Sequence, residues 1–185
     1  IATRVPAAEA NIAWMTEQGR GGTADIGAAL ELYRAAADKG VAFARLRLGN
    51  AYRDGELSLT ADAGEAMRWY RLAAEQGSAD AAANLGAMLA EGRGGEKDEA
   101  AALAWYRRAI AGGNIHAEAN LGTFYWNGLG GLEQDHAEAV KHYRVAAQHG
   151  VMLAQRMMAI AYGQGDGIES DDAAMLYWAR KAAEQ

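Results

Sequence analysis

The sequence predicts an all-α fold, a right-handed α/α superhelical solenoid built from about five helix–loop–helix repeats. Three observations support this prediction. Similar octapeptides end in glycines spaced 36, 37, 36 and 37 residues apart, at Gly19, Gly55, Gly92, Gly128 and Gly165. The segments that lead to these glycines have the apolar periodicity of helices. The composition, with one proline and abundant alanine, favours helices over sheets.

Helix A, the first helix of each predicted repeat, ends in the octapeptide. Its clearest copies are LGNAYRDG, LGAMLAEG and LGTFYWNG, and its weaker copies are IAWMTEQG and MAIAYGQG. In the second repeat we predict a helix from about Ala42 to Arg53, because Ala44, Leu48 and Tyr52 form one apolar stripe. A glycine recurs beside this stripe inside the helix, which predicts close approach of a neighbouring helix, at Gly49, Gly86 and Gly122.

Helix B, the second helix of each repeat, has a recurrent start signal and a recurrent end signal. An aspartate precedes it at a constant offset and predicts an N-cap, at Asp25, Asp62, Asp98, Asp135 and Asp171. Glu65 and Glu138 stand three residues after two of these aspartates and predict capping boxes. A glycine in the left-handed conformation is predicted after the helix, at Gly40, Gly77, Gly113 and Gly150.

This register divides the chain into an N-terminal extension and a single repeat domain. The extension comprises residues 1–6 and the domain residues 7–185, with repeats at about 7–40, 41–77, 78–113, 114–150 and 151–185. The outer repeats depart most from the pattern, since Thr16 and Ala179 replace tyrosines of the inner repeats. Capping repeats and truncation of a longer array both explain these departures, because either places an atypical repeat at the end.

The repeated unit resembles the Sel-one-like (Sel1-like) repeat family, whose members are related to tetratricopeptide repeats. The third repeat has the clearest match, at Ala81, Leu85, Gly86, Gly92, Asp98, Ala102, Trp105, Tyr106, Ala109 and Gly113. The resemblance implies a right-handed α/α superhelix in proteins that act mainly as adaptors, often in bacteria. A cysteine-rich branch is linked to β-lactam-like compounds, and the absence of cysteine separates this chain from that branch.

The composition argues against several classes of partner. The net charge of −6 argues against nucleic acid, because phosphate binding needs a basic surface. The sequence contains no run of 18 apolar residues, so it predicts no membrane insertion in this segment. A bacterial origin is suggested by arginine outnumbering lysine and by abundant alanine. The sequence does not distinguish a cytoplasmic from a periplasmic or secreted location, and it predicts no oligomeric state.

The glycine-rich loops WNGLGG, EGRGG and QGRGG raise the possibility of phosphate binding. A Walker loop needs a hydroxyl residue after its lysine, and none follows Lys97. The acidic segment 163–172 lacks the ligand order of a calcium loop. His136 and His142 are six residues apart, which places them on different helix faces. We therefore predict no catalytic, cofactor or metal site, and no enzymatic activity.

A partner-binding surface is predicted on helix A, which lines the concave face of solenoids of this kind. Asparagine recurs directly before the leucine of the apolar stripe, or its equivalent, in three of the five repeats, and a ladder of these amides can hold an extended peptide backbone. Local solvation or hydrogen bonding between helices explains the asparagines equally well, and Trp126 can instead cover its own loop. The predicted partner-binding residues are Asn11, Trp14, Arg47, Asn50, Asn84, Asn120, Thr123 and Trp126.

The function predicted from the sequence is that of a non-catalytic scaffold for a protein or peptide partner, within a larger bacterial protein. One alternative is a ligand-binding or sensory module for a small molecule such as a cell-wall fragment. A deep aromatic pocket would favour that alternative, whereas an open channel would favour a peptide. Another alternative is an accessory array fused to a catalytic domain.

Overall fold

The structure, a computed structural model, describes residues 4–185, and residues 1–3 of the predicted N-terminal extension lie outside the described residues. All regular secondary structure in residues 4–185 is helical, so the predicted all-α fold class is confirmed. The helices, in chain order, are α1 Arg4–Glu17, α2 Ile26–Asp38, α3 Ala42–Asp54, α4 Ala63–Glu75, α5 Ala79–Glu91, α6 Glu99–Ala111, α7 Ile115–Asn127, α8 His136–Gln148, α9 Met152–Gln164 and α10 Asp172–Ala183. Odd-numbered helices are helix A of a repeat and even-numbered helices are helix B.

The helices form two compact units. The N-terminal unit is Ile1–Lys97 and contains α1 to α5, and the C-terminal unit is Asp98–Gln185 and contains α6 to α10. Each unit has a core of buried alanines around a few large side chains, such as Tyr33 and Leu48 in the first and Tyr143 in the second. Small alanine side chains let helices pack closely, which explains why alanine is so abundant.

The predicted helix ends are confirmed. Each of the five predicted aspartate N-caps accepts a backbone N–H bond from the first turn of its helix B, at 2.9–3.0 Å. The glycines that close helix A have left-handed backbone at Gly55, Gly92, Gly128 and Gly165. The glycines that follow helix B have φ of 86–92° at Gly40, Gly77, Gly113 and Gly150. Local sequence signals therefore set the start of helix B and the ends of both helices in each repeat.

The predicted capping boxes are wrong in one half: the N–H groups of Glu65 and Glu138 donate to the aspartate caps, but the glutamate carboxylates do not accept the N–H groups of those aspartates. The backbone N–H of Asp62 donates to the carbonyl of Tyr52 at 2.8 Å, and that of Asp135 donates to the carbonyl of Tyr125 at 2.9 Å. The Glu65 carboxylate instead accepts from Arg68, one turn further along the same helix. The N-cap N–H groups thus tie the start of helix B to the end of helix A, and the same bond recurs from Asp25 to Thr16 and from Asp171 to Tyr162.

The glycine-rich loops between helix A and helix B pack against the preceding repeat. A Cβ on Gly94 or Gly167 would overlap the backbone at Ala63 or His136, the first residue of the preceding helix B. At the matching position, a Cβ on Gly130 would lie 2.8 Å from the carbonyl oxygen of Glu99, also the first residue of its helix. All three loop glycines have positive φ, at Gly94, Gly130 and Gly167. Glycine is therefore needed both for the turn and for the close approach of two backbones.

The second repeat has Leu57 where the other inner repeats have this loop glycine. Its φ is +52°, in the left-handed region that costs a leucine about 1 kcal/mol or more. The Leu57 side chain is buried in the core of the N-terminal unit. Burial of a leucine stabilises a fold by about 1.5–3 kcal/mol, which offsets the backbone strain.

Successive repeats are also joined by a recurrent hydrogen bond at the end of helix B. The amide Nε2 of Gln76 donates to the carbonyl of Gly40, one repeat earlier, at 2.8 Å. Gln185 stands at the corresponding position of the last repeat and donates to the carbonyl of Gly150 at 2.8 Å. These carbonyls follow helix ends, where backbone acceptors lack a partner within the helix.

Candidate partner-binding surface

A glycine–tyrosine contact sets the distance between the two helices of a repeat. A Cβ on Gly49 would lie 2.6 Å from Cδ1 of Tyr70, and a Cβ on Gly122 would lie 2.8 Å from Cδ1 of Tyr143. The tyrosine rings are fully buried on helix B, and each covers the glycine of helix A. The close approach predicted from the mid-helix glycines is therefore confirmed at Gly49 and Gly122.

The same tyrosines position two of the predicted partner-binding residues. The hydroxyl of Tyr70 donates to Oδ1 of Asn50 at 2.8 Å, and the hydroxyl of Tyr143 donates to Oγ1 of Thr123 at 3.1 Å. Burial raises the pKa of each tyrosine to about 12, so both hydroxyls remain protonated donors at neutral pH. Asn50 and Thr123 directly follow the glycines, so one tyrosine both covers the glycine and holds the next polar side chain.

Asn84 lies beside Asn50 in the N-terminal unit. Its Nδ2 donates to Oδ1 of Asn50 at 3.5 Å, which is a long and weak hydrogen bond. The asparagines stand on successive A helices, α3 and α5. The structure therefore brings Asn84, one of the asparagines of the predicted ladder, beside Asn50, another of the predicted partner-binding residues.

Arg47 lies in a network of charged side chains between α1 and α3. Its guanidinium contacts the carboxylate of Glu17 and donates to Glu56 at 2.7 Å. Glu17 also accepts from the hydroxyl of Tyr33 at 2.7 Å. Burial raises the pKa of Glu17, but the hydrogen bonds from Arg47 and Tyr33 outweigh burial and hold the pKa below its usual 4.5. Arg47 thus joins the first two repeats through its ion pair with Glu17.

Replacing Glu17 by glutamine is expected to remove a pH-dependent part of the stability. Because the folded state lowers the pKa of Glu17, its ionised form stabilises the fold at neutral pH, and this contribution is lost as the pH falls through the lowered pKa. Glu17→Gln therefore lowers the free energy of unfolding by about 1–3 kcal/mol at neutral pH, and by less under acidic conditions. Urea unfolding of both proteins across this pH range measures the difference.

The exposed ion pair of Glu31 with Arg34 provides the control. Glu31→Gln should change the free energy of unfolding by less than about 1 kcal/mol at neutral pH, because exposed pairs contribute little. A difference between Glu17→Gln and the original protein that stays constant as the pH falls would contradict the role of the ionised carboxylate.

The two tryptophans of the predicted surface differ in their surroundings. Trp14 is exposed, and the guanidinium of Arg20 lies 4.4 Å from the centre of its ring. Trp126 is half-buried and stacks on the imidazole of His136 at 4.2 Å between ring centres. The backbone carbonyl of Trp126 accepts from Gln134 in the following loop. Trp126 therefore covers the first turn of α8, in addition to any contact with a partner.

Asn11 and Asn120 complete the predicted set. Asn11 is exposed on α1, and Asn120 is partly buried on α7. In the part of the chain that the structure describes, the side chain of Asn120 makes no hydrogen bond. Thr123 and Trp126 follow Asn120 at intervals of three residues, so the three side chains lie along one side of α7.

Sequence reasoning missed a second polar cluster in the C-terminal unit. His142 stacks on Tyr125 with ring centres 5.5 Å apart, and its Nδ1 lies 2.6 Å from the carboxylate of Glu118. His142 occupies the position that holds Trp69 and Trp105 in earlier repeats. That departure from the repeat is the signal in the sequence that could have identified the cluster.

Comparison with known proteins identifies the family. The sequence model of the Sel1 repeat matches residues 6–41, 42–78, 79–114, 115–151 and 153–185. The chain belongs to the Sel1 repeat family. Proteins with Sel1 repeats are generally non-catalytic scaffolds for protein interactions. None of the functionally curated proteins matches the chain.

Solved Sel1 repeat structures agree with this assignment. The chain is 36% identical to a Sel1 repeat protein from Oxalobacter formigenes, with a TM-score of 0.86 over 99% of this chain and 74% of that one. It is 33% identical to a protective antigen present in uropathogenic Escherichia coli strains, which displays an SLR fold, with a TM-score of 0.85 over 97% of this chain. The match spans only 38% of the length of that antigen.

A more distant structure shows the fold alone. A Sel1 repeat protein from Klebsiella pneumoniae is 21% identical, with a TM-score of 0.60 over 97% of this chain and 86% of that one. The predicted α/α solenoid is thus confirmed, because the Sel1 repeat structures that resemble this chain are solenoids. None of the helices within residues 4–185 has the length and apolar character needed to cross a membrane.

Proposed function

We propose that this chain binds an extended segment of a partner protein along the helix A surface, as a non-catalytic interaction module. The observation that supports this most directly is the contact between Asn50 and Asn84, which places amides of successive A helices side by side. Each amide can both donate and accept, so adjacent amides can match the alternating N–H and C=O groups of an extended backbone.

The asparagines differ in how firmly the protein holds them. Tyr70 fixes the carbonyl of Asn50 at 2.8 Å, so this side chain is already oriented before a partner arrives. The bond from Asn84 is long at 3.5 Å, so little is lost when its Nδ2 turns to a peptide carbonyl. A surface with one fixed amide and one exchangeable amide can bind a peptide with little loss of side-chain conformational entropy.

The α7 surface supports the same function in the C-terminal unit. Asn120 offers an amide with no side-chain hydrogen bond among the described residues, beside the hydroxyl of Thr123 that Tyr143 orients. Trp126 supplies a large, partly exposed apolar surface one turn further along. Aromatic residues flanked by polar groups are typical of residues that dominate binding energy.

Peptides selected from a random displayed library against the 185-residue chain provide the probe for this proposal. The double variant Asn84→Ala plus Asn120→Ala should bind the selected peptides about thirtyfold more weakly, because about 1 kcal/mol is lost at each amide. Its midpoint of thermal unfolding should change by less than about 3 °C, since neither amide makes a strong internal bond. Calorimetric titration and thermal unfolding measure both quantities.

The matched control is Glu75→Ala plus Gln148→Ala, which removes two exposed polar side chains from helix B. This control should bind the peptides with unchanged affinity. Equal affinity of the control and the asparagine double variant for the peptides would contradict the proposal that helix A amides hold the peptide. Loss of folding in the asparagine variant would show instead that these amides serve the stacking of helices.

A further inference from the structure

Charged side chains are unevenly distributed in the C-terminal unit. All of its lysines and arginines except Arg156 lie on the B helices α6, α8 and α10. Most of its carboxylates instead lie in the loops before the B helices or in the first turns of those helices, as at Asp98, Asp135 and Asp171. Carboxylates outnumber basic side chains in residues 98–185, so the B helices place a basic surface on a unit that is acidic as a whole.

The exposed side of α6 and α8 is basic beyond the first turn of each helix. Neither helix contains an aspartate or glutamate after its first turn. Exposed alanines such as Ala104 and Ala137 flank the basic side chains and are too short to cover a guanidinium. Further repeats precede and follow both helices in the chain, so this exposure does not result from the ends of the sequence. The exposed basic residues, here called the α6–α8 basic surface, are Arg107, Arg108, Lys141 and Arg144.

Two guanidinium groups of this surface have no partner among the described residues. Arg107 and Arg144 directly follow the buried tyrosines of α6 and α8, and neither makes a hydrogen bond or an ion pair within residues 4–185. Arg34 stands at the same position of α2, and its Nη1 donates to the carboxylate of Glu31 at 3.1 Å. The first repeat thus supplies a carboxylate to its arginine. On α6 and α8 the planar fork of N–H donors, which matches a carboxylate, stays open.

Arg108 is held in place without using its hydrogen-bond donors. Its guanidinium lies 4.3 Å from the centre of the Trp105 ring, in a cation–π contact. A guanidinium that lies over an aromatic ring keeps the N–H groups at its edge available. An anion at Arg108 therefore binds a side chain that is already ordered. Lys141 is paired with Glu138, so the arginines supply the main donors of the surface.

We propose that the α6–α8 basic surface binds an acidic segment of a partner protein. Carboxylates of that segment accept hydrogen bonds from Arg107 and Arg144, and so take the place that Glu31 has beside Arg34. The exposed methyl groups of the alanines contact the aliphatic carbons of the segment. This surface lies on helix B and is separate from the helix A surface of the proposed function.

The charge pattern favours a short protein segment over a membrane or a nucleic acid. The aspartate caps Asp98 and Asp135 begin the same two helices, about 14 Å along the helix axis from Arg107 and Arg144. A short acidic segment can contact the arginines without approaching these carboxylates. A flat anionic membrane, or a nucleic acid with phosphates along its length, also meets the carboxylates, and repulsion there opposes binding.

Fluorescence anisotropy with two labelled peptides and the 185-residue chain tests the proposal. One peptide alternates Glu and Ser over about twelve residues, which places its carboxylates on one side of an extended chain, and the other has Gln in place of every Glu. The glutamate peptide should bind at least about tenfold more tightly at low salt, and this advantage should fall as added salt screens the charges. Equal affinity of the two peptides would overturn the proposal.

Charge variants identify the surface. Arg107→Gln plus Arg144→Gln should weaken binding of the glutamate peptide at least about tenfold, because the charged hydrogen bonds of both arginines are lost. Both arginines are exposed, so this variant should keep the helical circular dichroism and the unfolding midpoint of the original chain. The matched control Arg34→Gln plus Arg156→Gln removes two positive charges outside α6 and α8 and should change the affinity by less than about twofold. Equal weakening by both variants would overturn the proposal, since net charge alone would then explain binding.

The asparagine variant and two other anionic probes identify the site and the class of partner. Asn84→Ala plus Asn120→Ala should bind the glutamate peptide like the original chain, because both asparagines lie on helix A. A loss of affinity there would place the peptide on the helix A surface and would contradict the second site. Vesicles that contain phosphatidylserine, and a single-stranded oligonucleotide, should bind more weakly than the glutamate peptide. Tighter binding of either probe, abolished by Arg107→Gln plus Arg144→Gln, would overturn the assignment of a protein partner.

Discussion

Replacing Gly94 by alanine is expected to lower the free energy of unfolding by about 2–4 kcal/mol, because two costs add. The backbone of Gly94 has φ of +81°, where an alanine is strained by about 1–2 kcal/mol. The new methyl group would also overlap the backbone carbonyl of Ala63 in the preceding repeat. A backbone group at the start of a helix cannot rotate away as a side chain can, so the loop must move off α4. Urea unfolding of the variant measures the loss.

The first repeat provides a matched control for this substitution. Gly21 lies in the same loop position with φ of +98°, and a Cβ there would meet nothing within 4 Å. Gly21→Ala therefore incurs the backbone strain alone and should cost about 1–2 kcal/mol. The difference between the two variants measures the contact between loop and preceding helix. Equal losses in both variants would contradict that contact.

The helix ends could be predicted from the sequence because their causes are local. An aspartate cap such as Asp62 and a closing glycine such as Gly55 act within one helical turn, and each recurs in register through the repeats. Recurrence also separates these signals from chance, since a single Asp or Gly has many explanations. The predicted helix from about Ala42 to Arg53 accordingly differs from α3 by only one residue.

Hydrogen-bond partners on different helices could not be predicted from such local signals. The N–H of Asp62 has two candidate acceptors, the side chain of Glu65 and a carbonyl at the end of the preceding helix. Which one accepts depends on how the two helices meet, and the carbonyl of Tyr52 accepts at 2.8 Å. The carboxylate of Glu65 binds Arg68 instead. The competing acceptor comes from the tertiary fold, which a local motif does not encode.

The residues of the candidate surface could be predicted from their local position in the repeat, but their hydrogen-bond partners could not. The position of asparagine beside the apolar stripe identified Asn50 and Asn84, and the structure brings them into contact. The sequence left binding and internal hydrogen bonding as equal explanations. Tyr70, twenty residues away, is the residue that holds Asn50, and only the packing of α4 on α3 brings its hydroxyl there. The stacking of His136 on Trp126 likewise depends on the path of the loop between them.

Replacing Tyr70 by alanine is expected to lower the free energy of unfolding by about 3–5 kcal/mol, the cost of deleting a large buried ring. Tyr70 is fully buried, packs on Gly49 and donates to Asn50. The substitution leaves a cavity between α3 and α4 and removes the hydrogen bond that fixes Asn50. Denaturant unfolding measures the loss, and retained helical circular dichroism establishes that the variant folds.

The effect of Gly49→Ala should change sign with the residue at position 70. With Tyr70 present, a Cβ at Gly49 would lie 2.6 Å from the ring, so the variant should lose about 1–3 kcal/mol despite the better helix propensity of alanine. With alanine at position 70 the ring is gone, and Gly49→Ala should stabilise by about 1 kcal/mol through propensity alone. Gly27→Ala is the control, because its Cβ would make only an ordinary contact at 3.5 Å with Asp25. If Gly49→Ala has the same effect in both backgrounds, then the glycine does not serve the approach of the tyrosine ring, and the helix-to-helix distance has another cause.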